Sequence, residues 1–542
     1  MNKSTPLYTV DGEPFNERSL QYLKASFEES YSVAIQKYAQ LPFLKVYGKE
    51  RQFLDKTFAE FHGDVERVRC YLLSDFLDCE VIITVDNNTY ENIVFMTAAI
   101  LGGFTLSPLS PNDGGERISR KIKQIGRKYS LFVGKNFQAL RLEKSHSLEI
   151  PTNSYEFQAN KIRPKNVAAI LIFTSGTTGY SKIVQQSEVG ILLNSDALIE
   201  LHGLSERKVI ATPLPIYHVN ALEFSFLCSL FSGQRLVLYN GFDFATILES
   251  LKEDKVQILS IVPHALKSLL DLRQKVLSAT NVLEYCVTAA SSLSPELAKR
   301  LSLEFPFKII QGYGLSEAIN FSLINKPSDS KTILDYWLTH FKRPSIGTPL
   351  RGNEVRILSE AGEVLGEGEE GEICIRGPGI MFGYMDQDNS EIFAGDYLHT
   401  GDRGFFYIRE DTLEPYFFIT GRQKDVIKRF GLTISLIEID DILTRWLPPK
   451  NITAIAVPFL NETAGEEIGI AVSGDVTEED LNSLQNYLTE NVPSFMRPRV
   501  IAVTEAKLRT DSGKPQRWVV TNLFEEFCKT IFSEKIRIKK SQ

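Results

Sequence analysis

The sequence predicts an α/β protein of more than one domain, and three observations lead to this fold class. Over most of the first 320 residues, apolar β-branched runs alternate with longer amphipathic segments, as in strand–helix units. From about Ile346 the pattern changes to short apolar runs separated by Gly and Pro. After Gly421 a charged segment leads into a region of about 120 residues with its own apolar pattern. We therefore expect an α/β part, a small all-β or barrel-like subdomain, and a second domain.

The α/β part contains a βαβ unit near its start. Val81 to Val85 predicts a buried strand, the polar run from Asp86 opens a helix over Tyr90 to Leu101, and Phe104 to Ser107 predicts the next strand. Further strands are predicted at Val167–Phe173, Val209–Leu214, Arg235–Tyr239, Gln257–Val262 and Lys308–Gln311.

Capping residues and short strands indicate the later elements. Ser294 and Pro295 form a cap and first-turn pair for a helix through Leu301. In the region after Gly421, Thr477 and Asp480 form a capping box that begins another helix. Short strands are predicted at Glu354–Leu358, Glu372–Arg376 and Tyr416–Thr420.

The composition excludes several classes of protein. The chain carries 60 basic and 68 acidic side chains, a formal net charge of −8 that is spread along its length, which argues against a protein that coats nucleic acid. The most membrane-like stretch, Asn92 to Leu106, is too short to cross a bilayer. Met1 to Val10 has no apolar core behind a basic end, so we expect no secretory export and a cytoplasmic location.

The cysteines and histidines lack the spacing of metal or nucleophile motifs. Neither a zinc-protease motif nor a Gly-x-Ser-x-Gly elbow occurs. The cysteines show no paired short spacing, so we expect buried thiols and no zinc site. They are Cys70, Cys79, Cys228, Cys286, Cys374 and Cys528.

A loop rich in Gly, Ser and Thr follows the strand predicted at Val167–Phe173. Gly176 and Gly179 allow the backbone to turn with positive φ, so that successive N–H groups can point inward, and Lys182 adds positive charge. Such a loop suits a polyphosphate, although a Ser/Thr-rich surface turn is the alternative. Its residues are Thr174, Ser175, Gly176, Thr177, Thr178, Gly179, Tyr180, Ser181 and Lys182.

This loop resembles the phosphate-binding signature of the adenylate-forming superfamily, which comprises acyl-CoA synthetases, nonribosomal-peptide adenylation domains and beetle luciferases. Ser181 stands where proline is usual. Further motifs follow in the family's order as far as Arg517, over about two thirds of the chain. The resemblance implies a large N-terminal domain of two mixed α/β subdomains plus a small β-barrel-like subdomain, followed by a small mobile α+β C-terminal domain. The implied limits are 1–421 for the first domain, 422–425 for a hinge and 426–542 for the second domain.

Two motifs resemble the family's nucleotide-binding segments. The first runs from Gln311 to Glu317 and implies that Tyr313 stacks on adenine, that Ser316 bonds a phosphate and that Glu317 holds Mg²⁺. Core packing is the alternative for Tyr313 alone. The second runs from His399 to Asp402 and implies that the Asp402 carboxylate accepts hydrogen bonds from the two ribose hydroxyls. The other nucleotide-binding residues implied by these motifs are Gly312 and Gly314.

A pocket for the substrate carboxylate is implied by the segment Pro213 to His218. It resembles a segment of the family that ends in an aromatic residue or a histidine at this pocket. His218 is therefore a candidate catalytic residue, although a lone histidine after a strand is alternatively a hydrogen-bonded structural residue. Nonribosomal-peptide adenylation domains usually carry a Phe-Asp segment, whose aspartate binds the amino group of the substrate. No such segment occurs around Tyr217 to Phe224, so a carboxylic acid without an α-amino group is favoured. The candidate pocket residues are His218, Asn220, Ala289, Ala290 and Tyr313.

The C-terminal motifs imply a hinge and a second catalytic surface. By resemblance, Ile419 contacts the adenine edge, Arg422 binds ribose or phosphate, and the C-terminal domain turns about Lys424. The segment carrying Lys428 and Gly431 lines the entry of the thiol acceptor. In the loop from Ser512 to Arg517, Lys514 is the catalytic lysine of adenylation, which also contacts the nucleotide.

The resemblance implies an ATP-dependent acid–thiol ligase that forms acyl-AMP and pyrophosphate and then a thioester. Its implied cofactors are ATP and Mg²⁺, with CoA as the acceptor. A ligase that loads the phosphopantetheine of a carrier protein is one alternative, and an inactive nucleotide-binding scaffold is another. We expect a small carboxylic acid, ATP and CoA as partners, without nucleic acid or integral membrane association.

Overall fold

The computed structural model describes residues 26–48, 52–135, 145–152, 161–164, 166–174, 181–280, 282–291, 293–422, 425–429, 432–447, 451–510, 513–533 and 535–539.

The α-helices of the described chain lie before residue 340 and after residue 435. The α-helices are α1 (Phe27–Tyr38), α2 (Phe58–Asp75), α3 (Tyr90–Leu101), α4 (Gly114–Ile125), α5 (Glu188–Leu201), α6 (Cys228–Ser232), α7 (Phe244–Glu253), α8 (Pro263–Asp271), α9 (Arg273–Ala279), α10 (Pro295–Glu304), α11 (Lys331–Thr339), α12 (Leu436–Trp446) and α13 (Glu478–Asn491). A π-helix, Asn220–Leu227, precedes α6.

The strands are β1 (Pro42–Tyr47), β2 (Phe53–Thr57), β3 (Val81–Val85), β4 (Thr105–Leu109), β5 (Tyr129–Val133), β6 (Ser145–Ser147), β7 (Ile170–Thr174), β8 (Lys182–Gln186), β9 (Val209–Thr212), β10 (Arg235–Tyr239), β11 (Ile258–Ser260), β12 (Tyr285–Thr288), β13 (Lys308–Gly314), β14 (Phe321–Ile324), β15 (Ser345–Pro349), β16 (Glu354–Leu358), β17 (Gly371–Arg376), β18 (Phe393–Ala394), β19 (Tyr397–Arg409), β20 (Glu414–Arg422), β21 (Val426–Arg429), β22 (Leu432–Ser435), β23 (Ile452–Asn461), β24 (Gly465–Gly474), β25 (Val500–Val503) and β26 (Arg537–Lys539).

Two sheets form the larger part of the molecule. The first has the order β6-β5-β3-β4-β7-β8 and is parallel except for its last pair. The second is fourteen-stranded, with the order β16-β17-β19-β20-β15-β14-β13-β12-β11-β9-β10-β1-β2 and β18 beside β19. Its strands from β13 to β1 are parallel, and those from β13 to β16 are antiparallel. One hydrophobic core, from Phe27 to Phe417, joins both sheets.

A third sheet contains the strands that follow residue 425. Its order is β22-β21-β24-β25-β26, with β23 paired to β24, and α12 and α13 pack near it. Its two core clusters take their residues from Ile427 to Ile536 and from Ile455 to Phe524. In the described part of the chain, the large core and these two clusters share no residue. This arrangement agrees with a large N-terminal and a smaller C-terminal domain, while the hinge at 422–425 stays a prediction.

The α/β fold class is confirmed, and several elements match their predicted limits. The strand Val81–Val85 and the helix Tyr90–Leu101 are both present. The helix cap, however, is Thr89, whose hydroxyl accepts the Asn92 N–H, and not the preceding Asp-Asn-Asn run. The strand expected to end at Gln311 continues to Gly314.

The small β region is also present, in the antiparallel half of the large sheet. The strands described there form an open edge at β16 and do not close into a barrel. The capping box of Thr477 and Asp480 begins α13 as predicted. Among the described helices, none combines the length and hydrophobicity that a membrane crossing requires.

Candidate active site

The carboxyl ends of four neighbouring parallel strands form the edge on which the site is built. Strands β9, β11, β12 and β13 lie side by side in parallel, so the segments that follow them meet at one edge of the sheet. The segment Pro213–His218 follows β9, Ala289 and Ala290 follow β12, and Tyr313 lies near the end of β13. The pairing of these strands therefore places the predicted pocket residues at neighbouring strand ends.

The pocket residues differ in burial. Asn220 is buried at the start of the π-helix, and its Oδ1 accepts a hydrogen bond of 2.9 Å from Ser260 Oγ at the end of β11. Ala289 is buried, whereas Ala290 is exposed and has φ of +70°. His218 is exposed, and its ring lies 4.8 Å from the Tyr217 ring.

The predicted phosphate loop joins two paired strands. Thr174 ends β7 and lies directly opposite Lys182, which begins β8, so the two ends of the loop are adjacent. Of the residues between them, Ser175, Gly176, Thr177, Thr178, Gly179 and Tyr180 lie outside the described residues.

Tyr384 connects Lys182 to Glu317, and the sequence analysis missed it. The Lys182 ammonium lies over the Tyr384 ring, 4.2 Å from its centroid. The Tyr384 hydroxyl donates a hydrogen bond of 2.8 Å to Glu317 Oε1. The residue reaches this place because the chain around Tyr384 forms an antiparallel bridge with Val184. That pairing is non-local, so no local pattern in the sequence predicts it.

Tyr313 and Asp402 meet at the centre of the site. The Tyr313 hydroxyl donates a hydrogen bond of 2.6 Å to Asp402 Oδ2, and both residues are buried. Three strands separate β13 from β19 in the sheet order, a span of about 19 Å in a flat sheet at about 4.8 Å per strand. The direct contact therefore requires the antiparallel half of the sheet to curl over its parallel half.

Glu372 holds the turn that carries Asp402. Its Oε1 accepts the Gly401 N–H at 2.9 Å, and its Oε2 lies 2.7 Å from His399 Nδ1. Cys374 Sγ is 3.6 Å from the same nitrogen, and burial raises the pKa of this thiol to about 12. Glu372, Cys374 and His399 could each offer a ligand atom to a metal ion, and in this structure these side chains contact one another.

Packing requires glycine at position 314, in addition to the nucleotide contact that the sequence predicts there. A Cβ on Gly314 would lie 1.6 Å from the carbonyl oxygen of Asn320. A Cβ on Gly312 would lie 2.5 Å from the Phe321 ring. The glycines around Tyr313 therefore allow the chain to fold back as β14, which the sequence analysis did not anticipate.

The predicted hinge is described only in part. Ile419 lies on β20 opposite Gly404, and Arg422 lies opposite Asp402 in the same ladder. Lys428 lies on β21. Lys424 and Gly431 fall outside the described residues.

The loop that carries Lys514 lies against the carboxyl edge of the parallel strands. A Cβ on Gly513 would be 3.7 Å from Ser291 Oγ, after β12, and 3.9 Å from His264 Cβ, after β11. Burial lowers the pKa of His264, and the nearby charges of Lys267 and Arg509 lower it further. The loop is held by its own bonds, because Lys514 N donates to Thr510 Oγ1 at 3.0 Å.

Arg517 ties this loop to the predicted hinge. Its Nε donates to Asp425 Oδ1 at 2.8 Å, and its Nη2 donates to Asp440 Oδ2 at 2.7 Å. Asp425 is therefore paired with Arg517.

Comparisons with known proteins place the chain in a family. A family model described as AMP-binding enzyme matches residues 34–385, well over half of the chain. The chain belongs to the AMP-binding enzymes. This result confirms the resemblance to the adenylate-forming superfamily.

Relatives of this AMP-binding enzyme are named as CoA ligases. The oxalate–CoA ligase of Arabidopsis thaliana is 28% identical over 515 residues, covering 89% of this chain and 95% of the relative. The 4-coumarate–CoA ligase of Pinus taeda is 28% identical, covering 80% and 83%. The o-succinylbenzoate CoA synthetase of Bacillus subtilis has the same fold. Its complex with the acyl-adenylate intermediate OSB-AMP gives a TM-score of 0.77 at 21% identity, covering 90% and 96%. Its complex with ATP and magnesium gives a TM-score of 0.74 at 20% identity, covering 90% of this chain and 98% of the synthetase.

The structure of this AMP-binding enzyme thus brings together most of the predicted residues that it describes. Tyr313 and Asp402 are in contact, Glu317 and Lys182 are connected through Tyr384, and the Lys514 loop lies at the same strand edge. The assignment of His218 to the acid pocket rests on strand order, because its segment follows β9 beside β11.

Proposed function

We propose that this AMP-binding enzyme is an ATP-dependent acid–CoA ligase. It would convert a carboxylic acid and ATP into acyl-AMP and pyrophosphate, and then transfer the acyl group to the thiol of CoA. The observation that carries the proposal is the loop of Lys514, which lies against the strand ends that also present Tyr313 and the predicted acid pocket. The naming of its relatives as CoA ligases supports the same reaction class.

The nucleotide would occupy the space between the two halves of the large sheet. Asp402 offers a buried carboxylate with two acceptor oxygens for the ribose hydroxyls, and Tyr313 offers a ring for adenine. Ile419 would contact the adenine edge and Arg422 the ribose or a phosphate. The phosphates would lie against the loop that begins at Thr174 and ends at Lys182, with Ser316 and the Gly312–Gly314 strand beside them.

The described donor set also fits Mg²⁺. Glu317 provides a half-exposed carboxylate near the positively charged end of the phosphate loop, and hard oxygen ligands are those that Mg²⁺ prefers. When bound, the ion neutralises charge on the phosphate oxygens. Tyr384 would fix the rotamer of Glu317, because its hydroxyl already bonds Oε1.

In the first step, an oxygen of the substrate carboxylate attacks the α-phosphorus, and the bond to the bridging oxygen of pyrophosphate breaks. Lys514 would stabilise the negative charge that develops on the pentavalent phosphorus. In the second step, the CoA sulfur attacks the acyl carbon and AMP leaves. Lys428 and Gly431 would line the thiol entry after the C-terminal domain has turned about Lys424.

The acid pocket would be formed by small and polar residues. Asn220 and Ala289 are buried at the strand ends, and Ala290 and His218 are exposed. The named relatives act on acids as different as oxalate and 4-coumarate, so we propose only a carboxylic acid without an α-amino group.

A pyrophosphate-release assay tests the proposal. Purified enzyme is given Mg-ATP and a panel of aryl, dicarboxylic and short-to-long aliphatic acids, with hydroxylamine to trap acyl-AMP. We expect a preferred acid, and at least a hundredfold loss of the adenylation rate in Lys514→Ala, the order of loss found when one transition-state donor is removed. Lys529→Ala, an exposed lysine of the same domain, should leave the rate unchanged.

The acceptor is tested with the preferred acid. Free CoA should yield the acyl-CoA thioester at a rate at least equal to that with a phosphopantetheinylated carrier protein. Thioester formed only on the carrier would identify a loading ligase instead. ATP binding without pyrophosphate release for any acid would contradict the ligase proposal and support a scaffold.

A further inference from the structure

A buried carboxyl group lies close to the site, and the proposed reaction does not use it. Glu223 belongs to the π-helix Asn220–Leu227 that begins at the pocket residue Asn220, and its side chain has no exposed surface. No ion pair in the described part of the chain includes Glu223, and neither of its oxygens has a hydrogen-bond donor. An ionised carboxylate is strongly disfavoured in such surroundings, so its charge state requires an explanation.

Gln186 lies within hydrogen-bonding reach of Glu223. It ends β8, is fully buried, and its Nε2 donates to two backbone carbonyls, Ser316 O at 3.1 Å and Ile319 O at 3.3 Å. These two bonds determine the orientation of the amide, because the reversed orientation would bring Oε1 against both carbonyl oxygens. Gln186 Oε1 therefore needs a donor of its own, and it has none among the described groups.

One proton satisfies both residues. If Glu223 is protonated, its O–H donates to Gln186 Oε1, and the two unpaired acceptors become one hydrogen bond. Burial supports this state, since it raises the pKa of Glu223 well above the usual range for a glutamate and outweighs the neighbouring Gln186, which lowers that pKa. Glu223 and Gln186 then form a neutral carboxylic acid–amide pair.

The pair holds the turn on which Glu317 lies. Ser316 and Ile319, whose carbonyls receive the two Gln186 bonds, flank Glu317 by one and two residues. Ile319 is buried and has φ of +67° and ψ of −65°, a conformation that a β-branched residue adopts only when its surroundings impose it. The bond from Gln186 to the Ile319 carbonyl is one of the contacts that impose it.

We propose that Glu223, carrying a proton, and Gln186 are positioning residues that hold the Ser316–Ile319 turn and thereby orient Glu317. This inference rests on the proposed role of Glu317 as the Mg²⁺ ligand. It also connects the helix that begins at the acid pocket with the turn that carries the metal ligand.

The test compares three variants with one matched control. Glu223→Gln keeps the shape and neutrality of the protonated acid and supplies an N–H donor, so Mg²⁺ dependence should stay within about twofold of the wild type. Glu223→Leu and Gln186→Leu remove the pair and should raise the half-saturating Mg²⁺ concentration about tenfold, as removal of a group behind a metal ligand does. The control is Gln234→Leu, because Gln234 is another buried glutamine whose Nε2 donates to two carbonyls, of Leu204 and Ser232.

Metal binding is measured in two ways so that the proposal can be judged even if the ligase reaction fails. Pyrophosphate release is titrated with Mg²⁺ in the presence of the preferred acid, and Mn²⁺ binding to the enzyme–ATP complex is followed by electron paramagnetic resonance without any acid. An infrared C=O band of a protonated carboxylic acid at pH 8, missing in Glu223→Gln, reports the proton directly.

Each result decides the question. The proposal stands if Glu223→Gln behaves as wild type while the two leucine variants weaken metal binding and Gln234→Leu lowers only the melting temperature. It is overturned if Glu223→Gln is as impaired as Glu223→Leu, if the infrared band is missing in the wild type, or if Gln186→Leu binds Mn²⁺ normally. Mn²⁺ binding that depends on the pair, without pyrophosphate release, would reject the ligase function and keep the inference.

Discussion

Glu372 uses both of its carboxylate oxygens to hold the turn before Asp402, and this makes it a sensitive position for nucleotide binding. Glu372→Ala would leave the Gly401 N–H and the His399 ring without their acceptor. A hydrogen-bonding group left unpaired costs about 1–3 kcal/mol, so we expect KM for ATP to rise about tenfold with a smaller change in kcat. Steady-state pyrophosphate release at varied ATP measures this.

Glu360→Ala is the matched control for that substitution, since Glu360 is an exposed glutamate of the same small β region. Its KM for ATP should equal that of the wild type. A loss of kcat in Glu372→Ala with unchanged KM would show that the Glu372 contact does not act through the Asp402 turn.

The hairpin of β13 and β14 is the element on which the nucleotide motif depends. Gly314→Ala would place a Cβ 1.6 Å from the Asn320 carbonyl, a backbone atom that cannot rotate away. Gly115→Ala meets no atom within 4 Å and lies in α4, where alanine favours the helix. We expect Gly314→Ala to lower the melting temperature by several degrees or to prevent folding, and Gly115→Ala to leave it unchanged or raise it. Differential scanning fluorimetry distinguishes the two.

Elements whose limits are marked by a local pattern of apolar and polar residues could be predicted from the sequence. Val81–Val85 and Tyr90–Leu101 are mostly apolar and each follows a polar residue, and the structure keeps both limits. The end of β13 was missed because Gly312 and Gly314 are typical of a turn, whereas here they allow two strands to approach closely. Local sequence does not distinguish these two uses of glycine.

The site was predictable to the extent that its residues lie in short motifs. Tyr313, Asp402 and Lys514 each stand in such a motif, and the structure places them near the same strand edge. Tyr384 and Glu223 could not be predicted in the same way, because a bridge to β8 and a buried amide give them their roles. Contacts between residues far apart in sequence leave no local pattern.

On the scale of the whole molecule, ion pairs join the C-terminal part to the rest of the chain. Arg343, which follows α11, pairs with Asp441 on α12, and both side chains are largely buried. Arg517 connects the Lys514 loop of the C-terminal part to Asp425, the last residue of the predicted hinge. These contacts hold the orientation in which the loop faces the strand ends, which the proposed first step requires. The proposed second step requires the domain to leave this orientation.

Breaking the Arg343–Asp441 pair should therefore affect the two half-reactions differently. In Arg343→Ala the largely buried carboxylate of Asp441 loses its partner. This loss destabilises the orientation in which the Lys514 loop faces the strand ends, and should lower the adenylation rate about fivefold. Transfer from preformed acyl-AMP to CoA should stay at the wild-type rate or increase. Asp441→Ala should match Arg343→Ala, and the double variant should be no slower than either, because both remove the same contact.

Glu438→Ala is the control, since Glu438 is an exposed acid on the same helix. Single-turnover measurements of each half-reaction separate the two rates. An equal loss in both half-reactions would mean that the pair stabilises the fold without favouring one orientation. A fall in transfer alone would mean that the pair stabilises the orientation needed for the second step and not the one needed for the first.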